Sequence, residues 1–505
     1  MWLFLSTLTL VAYVLLWWQF PSLPFQDLPN HITRSAVILG LITEGSFQEF
    51  FSFTPQFKPY ILGDIVLAYL LKFLTLERAG MFWVSIAFLS PLIGIFVYAR
   101  VRKFNDTATA FVLIVCTYLA SHWYFLTGYA SYCIGVGMTL LTLAAGESAL
   151  NAMQGWRTWR AVGCTLLFYF GSVTCYLMHL ASFFFLMIIF GSVLCLRFLA
   201  KRVSLPQAAL FGAPLAILLA YHLVQDNPSD SAHNAWEYPQ FVTKIVAVGT
   251  MFIRFNKSID IALFIVFTLI TLPPVIYCLR QLRLRDFFHA DEWWGSRELL
   301  AIALMLALSY VALPWRMDTA TDVDRRALPF FFFFLVLIVG NCWARLSTQR
   351  FSRLSFALLL TVSNLFYLIH YLEKHHQFLE HYHEARRAIP PGKVVLPIVT
   401  RPDEGRIQSA AHPGLLYVIS GNGLTPYLFS ENLAGAQFSY FRYNEDRYTP
   451  AIFWYLRNEM VDWNKIRDTY DYLFVTLPFD EARFPMSELE TAYANESAAL
   501  LQFKR

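Results

Sequence analysis

The chain alternates long apolar stretches with short polar segments from its first residue to about residue 375. A helix that crosses a bilayer needs about 20 mostly apolar residues. Eleven stretches satisfy this requirement: 1–20, 80–99, 107–125, 129–147, 159–178, 182–200, 205–224, 259–279, 298–314, 328–345 and 353–373. We therefore predict a polytopic α-helical membrane protein with about 11 transmembrane helices.

A further apolar stretch, 59–75, is shorter and contains Asp64 and Lys72. If it does not cross the membrane, five basic clusters fall on one side, and excess Lys and Arg marks the cytoplasmic side. We therefore predict that 59–75 is re-entrant or interfacial on the outer face. The N-terminus is then cytoplasmic and the C-terminal region is outside. The clusters are Arg100/Arg102/Lys103, Arg157/Arg160, Arg197/Lys201/Arg202, Arg280/Arg283/Arg285 and Arg345/Arg350/Arg353.

The pattern changes near residue 376, after which polar residues separate short alternating runs. We assign 1–375 to the transmembrane domain, with 21–79 as its first extracytoplasmic loop, and 376–505 to a small extracytoplasmic α/β domain. Strands are predicted at Val394–Ile398, Tyr472–Thr476 and Ala498–Phe503, and helices at 450–460 and 486–495.

Composition supports the membrane assignment and excludes several classes of function. Hydrophobic residues make up 57% of the chain and charged residues 15%, whereas soluble proteins carry about 25% charged residues. The net charge of +4 indicates no nucleic-acid surface. All seven cysteines lie in apolar stretches, so neither a disulfide framework nor a zinc site is expected. The chain has no Walker A motif, which argues against ATP-driven transport.

Candidate chemistry begins directly after the first apolar stretch. Asp27, His31 and Arg34 are spaced i, i+4 and i+7, so they share one face if the segment is helical. Pro29 suits the first turn of such a helix. Asp27 could serve only as the helix cap, but a cap does not explain the histidine and the arginine. We therefore favour a catalytic or ligand-binding role.

A second charged group, Asp324, Arg325 and Arg326, precedes the span that begins at 328. Such turns are usually solvated, but ionisable groups at a membrane boundary often line polar cavities. Arginines there could hold a phosphate by paired hydrogen bonds.

Single polar residues in apolar surroundings give weaker signals. Asp64 needs a partner or a function, because a charge in hydrocarbon is costly. His122 and His179 lie at the outer ends of predicted spans, where a packing role is about as plausible as a site role. Other polar groups are the patch Lys244, Arg254 and Lys257, which suits lipid headgroups, a diphosphate or ordinary surface charge, and the histidines His375, His376, His381 and His383, whose spacing does not favour metal binding.

The layout resembles the GT-C superfamily of membrane glycosyltransferases, which use polyprenyl-phosphate-linked sugars and include bacterial protein mannosyltransferases and aminoarabinose transferases. The architectural resemblance covers the whole chain. Its motifs are Gln26-Asp27-Leu28-Pro29-Asn30-His31 after the first span, Phe125-Leu-Thr-Gly128-Tyr, His179 at a span end, and Asp324-Arg325-Arg326-Ala-Leu-Pro329.

The resemblance implies a GT-C-like fold, a bacterial inner membrane location and a periplasmic C-terminal domain. It implies that Asp27 is the catalytic base. Arg326 and Arg34 would stabilise the lipid-phosphate leaving group, followed by Arg325 and His179. The partners would be the lipid-linked sugar donor, membrane lipids and a glycan, lipid or protein acceptor, with no nucleic acid. Many family members carry an acidic pair in the first loop, but Leu28 follows Asp27 here, so we expect no metal and no cofactor.

Other functions remain open at the level of sequence, including a ligase or polymerase that joins whole glycan chains. A non-catalytic GT-C-like protein could act as a scaffold or bind lipid-linked glycan during cell-envelope polysaccharide assembly, since fold does not fix function. A transporter or flippase would need a polar path through the membrane, and the spans carry few charged residues.

Overall fold

The computed structural model describes residues 1–154, 158–225, 236–281, 294–317, 321–343, 350–400, 406–430, 438–445, 447–450 and 461–504. The protein is mostly helical through residue 387. The helices of this part are α1 Trp2–Gln19, α2 Leu28–Thr43, α3 Ile61–Leu71, α4 Leu76–Val101, α5 Asp106–Ala120, α6 Trp123–Leu126, α7 Ala130–Gln154, α8 Thr158–Met178, α9 Leu180–Leu199, α10 Leu205–Gln225, α11 Phe241–Thr250, α12 Lys257–Gln281, α13 Trp294–Ala312, α14 Ala327–Trp343 and α15 Arg350–Arg387.

The helices confirm a polytopic membrane protein. In the described residues, nine helices are long and apolar enough to cross a bilayer: α1, α4, α7, α8, α9, α10, α12, α13 and α15. The other two predicted spans correspond to the shorter apolar helices α5 and α14, of 15 and 17 residues. The stretch 59–75 contains only the 11-residue α3. At 1.5 Å per residue α3 is about 17 Å long, too short to cross a hydrocarbon core of about 30 Å.

Close packing between α4 and α7 organises the bundle. A Cβ atom on Gly137 would lie 2.2 Å from the backbone carbon of Ser90, so only glycine allows the two helices to approach this closely.

A buried charge cluster joins four helix ends on one side of the bundle. Arg102 and Arg197 each form ion pairs with both Glu147 and Glu298. The Tyr98 hydroxyl donates to Glu147 over 2.7 Å. Because every charge has a partner of opposite sign, this Glu147–Glu298 cluster links α4, α7, α9 and α13 without an unpaired buried charge.

The C-terminal region contains the predicted sheet but corrects one of its helices. Its elements are β4 Val395–Ile398, α16 Tyr417–Gly421, β5 Phe441–Tyr443, α17 Trp463–Thr469, β6 Tyr472–Thr476, β7 Leu489–Ala494 and β8 Ala498–Phe503, and the chain also has β1 Phe51–Phe53, β2 Trp236–Glu237 and β3 Arg316–Met317. Four strands form a sheet of order β4-β6-β8-β7, parallel only between β4 and β6. The helix predicted at 486–495 is wrong, because most of that segment is β7. Nearly all of the helix predicted at 450–460 lies outside the described residues.

Two further details differ from expectation. The helix that follows residue 350 continues to Arg387, past the predicted domain boundary at 375/376, and packs against the sheet through Tyr382 and Phe474, whose ring centroids are 4.6 Å apart. Cys342 is disulfide-bonded, whereas the position of the cysteines in apolar stretches leads us to expect no disulfide framework.

The C-terminal region is fastened to the first loop. Strands β1 and β5 pair antiparallel, and β5 follows the last span by more than 50 residues. The Asn30 side chain on α2 donates to the Tyr427 carbonyl and accepts from the Phe429 amide, both over 2.9 Å. The start of α2 is therefore covered by residues from the far end of the chain.

Candidate functional site

Asp27 lies at the N-terminus of α2 and is almost fully buried. Its side chain makes no capping hydrogen bond to the helix, so the capping interpretation does not explain it. One carboxylate oxygen, Oδ1, lies 3.3 Å from Nε2 of His412, a residue of the C-terminal region. The Asp27 backbone amide donates to the Thr127 carbonyl over 2.8 Å. Two distant segments thus hold Asp27 in place, one through its side chain and one through its backbone.

The turn that holds Asp27 depends on a glycine. Gly128 has a φ of +94°, and a Cβ atom there would lie 2.8 Å from the Leu28 amide nitrogen and 3.0 Å from that of Asp27. A side chain would be strained by the backbone conformation and would also push against the start of α2. The Phe125-Leu-Thr-Gly-Tyr motif therefore positions the backbone of Asp27.

Tyrosines lie between Asp27 and the turn before α14. Tyr129 lies within electrostatic reach of Asp27, Arg326 and Tyr60. Burial, followed by the neighbouring charge of Asp27, raises the pKa of Tyr129 well above its ordinary value. Tyr60, Tyr129 and Arg326 each keep part of their surface accessible. We infer that these groups border a polar recess beside the Asp27 carboxylate.

Arg326 supplies the cation of this recess. Its Nη2 donates to the Thr321 carbonyl over 3.3 Å, and Tyr132 donates to the Arg326 carbonyl over 2.6 Å. Its Nε is buried and has no hydrogen-bond partner among the described residues. A guanidinium stays charged in proteins, so Arg326 brings a positive charge next to Tyr60 and Tyr129.

Arg34, in contrast, is engaged by protein groups. Its Nε and Nη2 donate to the two carboxylate oxygens of Asp64 over 2.8 and 2.7 Å. The side chains are 1% and 2% exposed. Tyr440 donates to Asp64 over 2.7 Å, and the guanidinium lies 4.4 Å from the ring centroid of Phe438. Asp64 therefore has the partner that its apolar setting requires, and the pair clamps α2 to α3.

His31 lies between the clamp and Asp27. Its Nδ1 is 3.3 Å from Nη2 of Arg34, and its ring contacts Phe429 edge-on with a centroid distance of 6.1 Å. Burial, and then the charges of Arg34 and His412, hold the pKa of His31 well below its ordinary value. His31 is therefore neutral near pH 7 and can accept or donate a hydrogen bond without carrying charge.

The two span-end histidines each cap a helix. Nδ1 of His122 accepts from the Phe125 amide, and Nδ1 of His179 accepts from the Ala181 amide, both over 3.2 Å. Burial lowers the pKa of His122 to about 3. The His179 ring meets Tyr60 edge-on at 4.8 Å and lies near the recess, because the charge of Arg326 reaches it. The charge of Arg254, and not that of Arg326, acts on His122. Of these two histidines, His179 is therefore the one that lies near Arg326.

Asp324 and Arg325, the neighbours of Arg326 in sequence, each form an ion pair with another residue. Asp324 lies 3.4 Å from Nζ of Lys244, and Lys244 also donates to the carbonyls of Tyr310, Val311 and Leu313 at the end of α13. Arg325 is paired with Asp322 over 2.8 Å.

The surface-charge interpretation of the basic patch is wrong for two of its members. Lys244 is buried in the contacts just described, and Arg254 is buried and paired with Asp260 over 2.8 Å.

Several residues of the site are not predicted by the sequence. His412, Tyr440 and Phe429 come from the C-terminal region, and Tyr60 and Tyr129 are single aromatics among many. His412 stands alone before Pro413, and no spacing relates it to Asp27. Among the described residues, no group of three or more His, Cys, Asp or Glu side chains is arranged to hold a metal ion.

Comparisons with known proteins give little further information. No protein-family model matches the chain, and no curated protein matches it. One similar solved structure is ArnT from Cupriavidus metallidurans in the apo state, at 11% sequence identity. The match covers 98% of this chain and 97% of that chain with a TM-score of 0.43, a likeness too low to carry an argument about this protein.

Proposed function

We propose that this protein is a membrane glycosyltransferase that moves a sugar from a polyprenyl-phosphate-linked donor to an acceptor hydroxyl on the extracytoplasmic face. One observation carries the proposal: a buried carboxylate with no capping hydrogen bond, Asp27, lies near the same tyrosine, Tyr129, as Arg326, whose Nε has no hydrogen-bond partner among the described residues. A base and an anion-binding group in one recess are what transfer from a phosphate leaving group needs.

Asp27 would act on the acceptor. Its carboxylate takes the hydroxyl proton as the acceptor oxygen forms a bond to C1 of the sugar. The bond between C1 and the phosphate oxygen breaks in the same displacement, with inversion at C1. The acceptor is a glycan, lipid or protein hydroxyl, and His412 and the Thr127–Gly128 turn keep the carboxylate in place.

Arg326 would act on the leaving group. The departing lipid phosphate gains negative charge, and a preorganised cation in a buried site stabilises that charge more strongly than water does. The free Nε of Arg326 supports this role. Arg34 is a weaker candidate than the sequence suggests, because its donors are directed to Asp64 and to a backbone carbonyl.

The donor explains the placement of the recess. A polyprenyl tail keeps the phosphate at the membrane surface, and the recess lies where α2, α3 and the turn before α14 meet. The short apolar α3 can lie in the interface without crossing it. A bacterial inner membrane with the C-terminal region in the periplasm fits this arrangement.

The test uses purified protein in nanodiscs with polyprenyl-phosphate sugars and membrane extract as the acceptor source. Asp27→Asn should abolish transfer, a loss of at least 100-fold as expected for a general base, while donor binding persists. Arg326→Gln should weaken undecaprenyl phosphate binding. The matched control is Arg316→Gln, which changes an exposed arginine near the same turn. Full transfer activity in Asp27→Asn would refute the base assignment. Saturable donor binding that depends on Arg326, with no transfer by wild-type protein, would favour a lipid-linked glycan binder.

A further inference from the structure

A second polar cavity lies on the other side of α2 from Asp27. It is a cleft of about 250 Å³ bounded by the segment after α1, the starts of α2 and α4, and the last turns of α15. We call it the α15 cleft. Leu28 and Ile32, one helical turn apart, face this cleft, whereas Asp27 and His31 face the recess. The helix α2 therefore separates the two cavities.

The α15 cleft lies beside the ends of two candidate spanning helices. Pro21, Ser22 and Leu23 line it and directly follow α1, which is long enough to cross the membrane. Gly80 and Met81 line it from the first turns of α4, another candidate span. Where two spanning helices leave the hydrocarbon, the adjacent layer is the headgroup region.

One wall of the cleft presents buried side-chain nitrogens that have no hydrogen-bond partner among the described residues. Nε and Nη1 of Arg386 are buried and have no hydrogen-bond partner among the described residues, and the same holds for Nδ1 of His383. Arg387 lies beside them. A buried guanidinium with unused donors is costly unless an anion pairs with it.

The nearby carboxylates do not fill this role. Glu77 influences Arg386 electrostatically, but in the described part of the chain the two form no ion pair within 4 Å. Glu380 accepts a hydrogen bond from the Ser22 hydroxyl over 2.6 Å. Among the described residues, no carboxylate therefore forms an ion pair with the basic wall.

The opposite wall is apolar, and the cleft is small. Leu28, Ile32 and Leu416 line it. Its volume falls below the roughly 300–1,000 Å³ of sites for drug-sized ligands, which suits a headgroup better than an oligosaccharide. A phosphate with an adjoining glycerol and acyl chain matches both walls, because guanidinium groups pair with phosphate oxygens in fork geometry.

We propose that the α15 cleft binds the phosphate group of a membrane lipid headgroup, with Arg386 as its main ligand and Arg387 and His383 beside it. The bound lipid would fill the space between α2 and the outer end of α15. This site is separate from the donor recess and does not depend on Asp27 chemistry.

The experiment measures thermal unfolding of delipidated full-length protein in detergent with added phosphatidylglycerol. A ligand that binds only the folded state raises the Tm, by a few degrees at about 100 times its Kd. The wild type and Arg78→Gln should show this rise. Arg78 is the matched control, since it is an exposed arginine in the first turn of α4 that does not line the cleft. Arg386→Gln should lose the rise but fold, because no protein hydrogen bond to Nε or Nη1 is removed.

Additional arms separate the sources of the phosphate. Diacylglycerol and inorganic phosphate at the same concentrations should give no shift. An equal shift with inorganic phosphate would overturn the lipid assignment, and an equal shift with diacylglycerol would overturn the role of the phosphate. A full lipid-dependent shift in Arg386→Gln would also overturn the proposal. If Arg386→Gln is too unstable to purify, Arg386→Lys should retain the charge and show a reduced shift, with bound lipid counted by native mass spectrometry.

Asp27→Asn provides an independent comparison. It should keep the full shift with phosphatidylglycerol, so loss of transfer and loss of lipid binding are separable results. Failure of the glycosyltransferase proposal would leave the α15 cleft untouched.

Discussion

Breaking the Arg34–Asp64 ion pair tests whether Arg34 is held by Asp64 or is free to bind a ligand. Asp64→Asn preserves the shape of the side chain but leaves the guanidinium of Arg34 buried without a counter-charge. Both side chains are at most 2% exposed, and both guanidinium contacts are shorter than 3 Å. Breaking a buried pair of this kind costs about 3–5 kcal/mol. Tyr440→Phe removes a hydrogen bond to the same carboxylate and should cost about 1.5–3 kcal/mol.

The control is an exposed ion pair of the same length. Arg100 and Asp106 approach to 2.7 Å, but their side chains are 47% and 72% exposed. Water and salt screen such a pair, so Asp106→Asn should cost less than about 1 kcal/mol. Unfolding in detergent, followed by tryptophan fluorescence over a denaturant series, ranks the three variants.

The double variant Arg34→Met/Asp64→Leu completes the test. It removes both charges, and well-packed apolar residues often replace a buried ion pair at little cost. We expect it to be more stable than Asp64→Asn alone. If Asp64→Asn were as mild as Asp106→Asn, the clamp would be wrong and Arg34 would return as a phosphate ligand.

Three further predictions concern the Gly128 turn, the Glu147–Glu298 cluster and the pH dependence of stability. Gly128→Ala should reduce transfer and lower the Tm, because its Cβ would press on the start of α2. Gly212→Ala adds a Cβ with no neighbour within 4 Å, so it should leave transfer unchanged and should not lower the Tm, since alanine is favoured over glycine inside a helix. Equal effects of the two variants would contradict the positioning role. Glu298→Gln should lower the free energy of unfolding by about 3–5 kcal/mol in the same denaturant assay, because it weakens the pairing of both arginines of the Glu147–Glu298 cluster. A loss below about 1 kcal/mol would contradict the burial of that cluster. Acidification should also destabilise the protein, because the pKa values of His31 and His122 are lowered in the folded state. Above about pH 6.5 the two histidines are neutral in both the folded and the unfolded protein. Below that pH the unfolded protein binds protons that the folded protein does not, which lowers the free energy of unfolding by about 1 kcal/mol per histidine at pH 5.5. A Tm that is unchanged between pH 7.5 and 5.5 would refute this.

The membrane body was predictable because hydrocarbon imposes length and composition on every spanning helix. It was also predictable that 59–75 would not form a spanning helix, since this stretch is too short to cross a bilayer and Asp64 interrupts it. The segment 486–495 was misread because Glu, Leu and Ala favour helices. Pairing with β8 overrides that local preference, and no local pattern reports it.

The candidate site was only partly predictable for a different reason. Asp27 and Arg326 stand out because charged residues next to apolar stretches need an explanation. The partners that decide their roles, His412 for Asp27 and Tyr440 for the clamp, come from a region hundreds of residues away. Periodicity describes one element at a time, so it indicates that Asp64 requires a partner but not which residue provides it.

The fastening of the first loop by the C-terminal region has a consequence for biosynthesis. Asp27 and His412 are separated by 385 residues (412 − 27). Chains grow at about 5–20 residues per second, so about 20–80 s pass between the synthesis of the two. During that interval α2 is already outside the ribosome, but neither the contact with His412 nor the pairing of β1 with β5 exists. The site is thus completed only after the last span has been made, and a nascent chain that stalls in the spans lacks the His412 contact of Asp27.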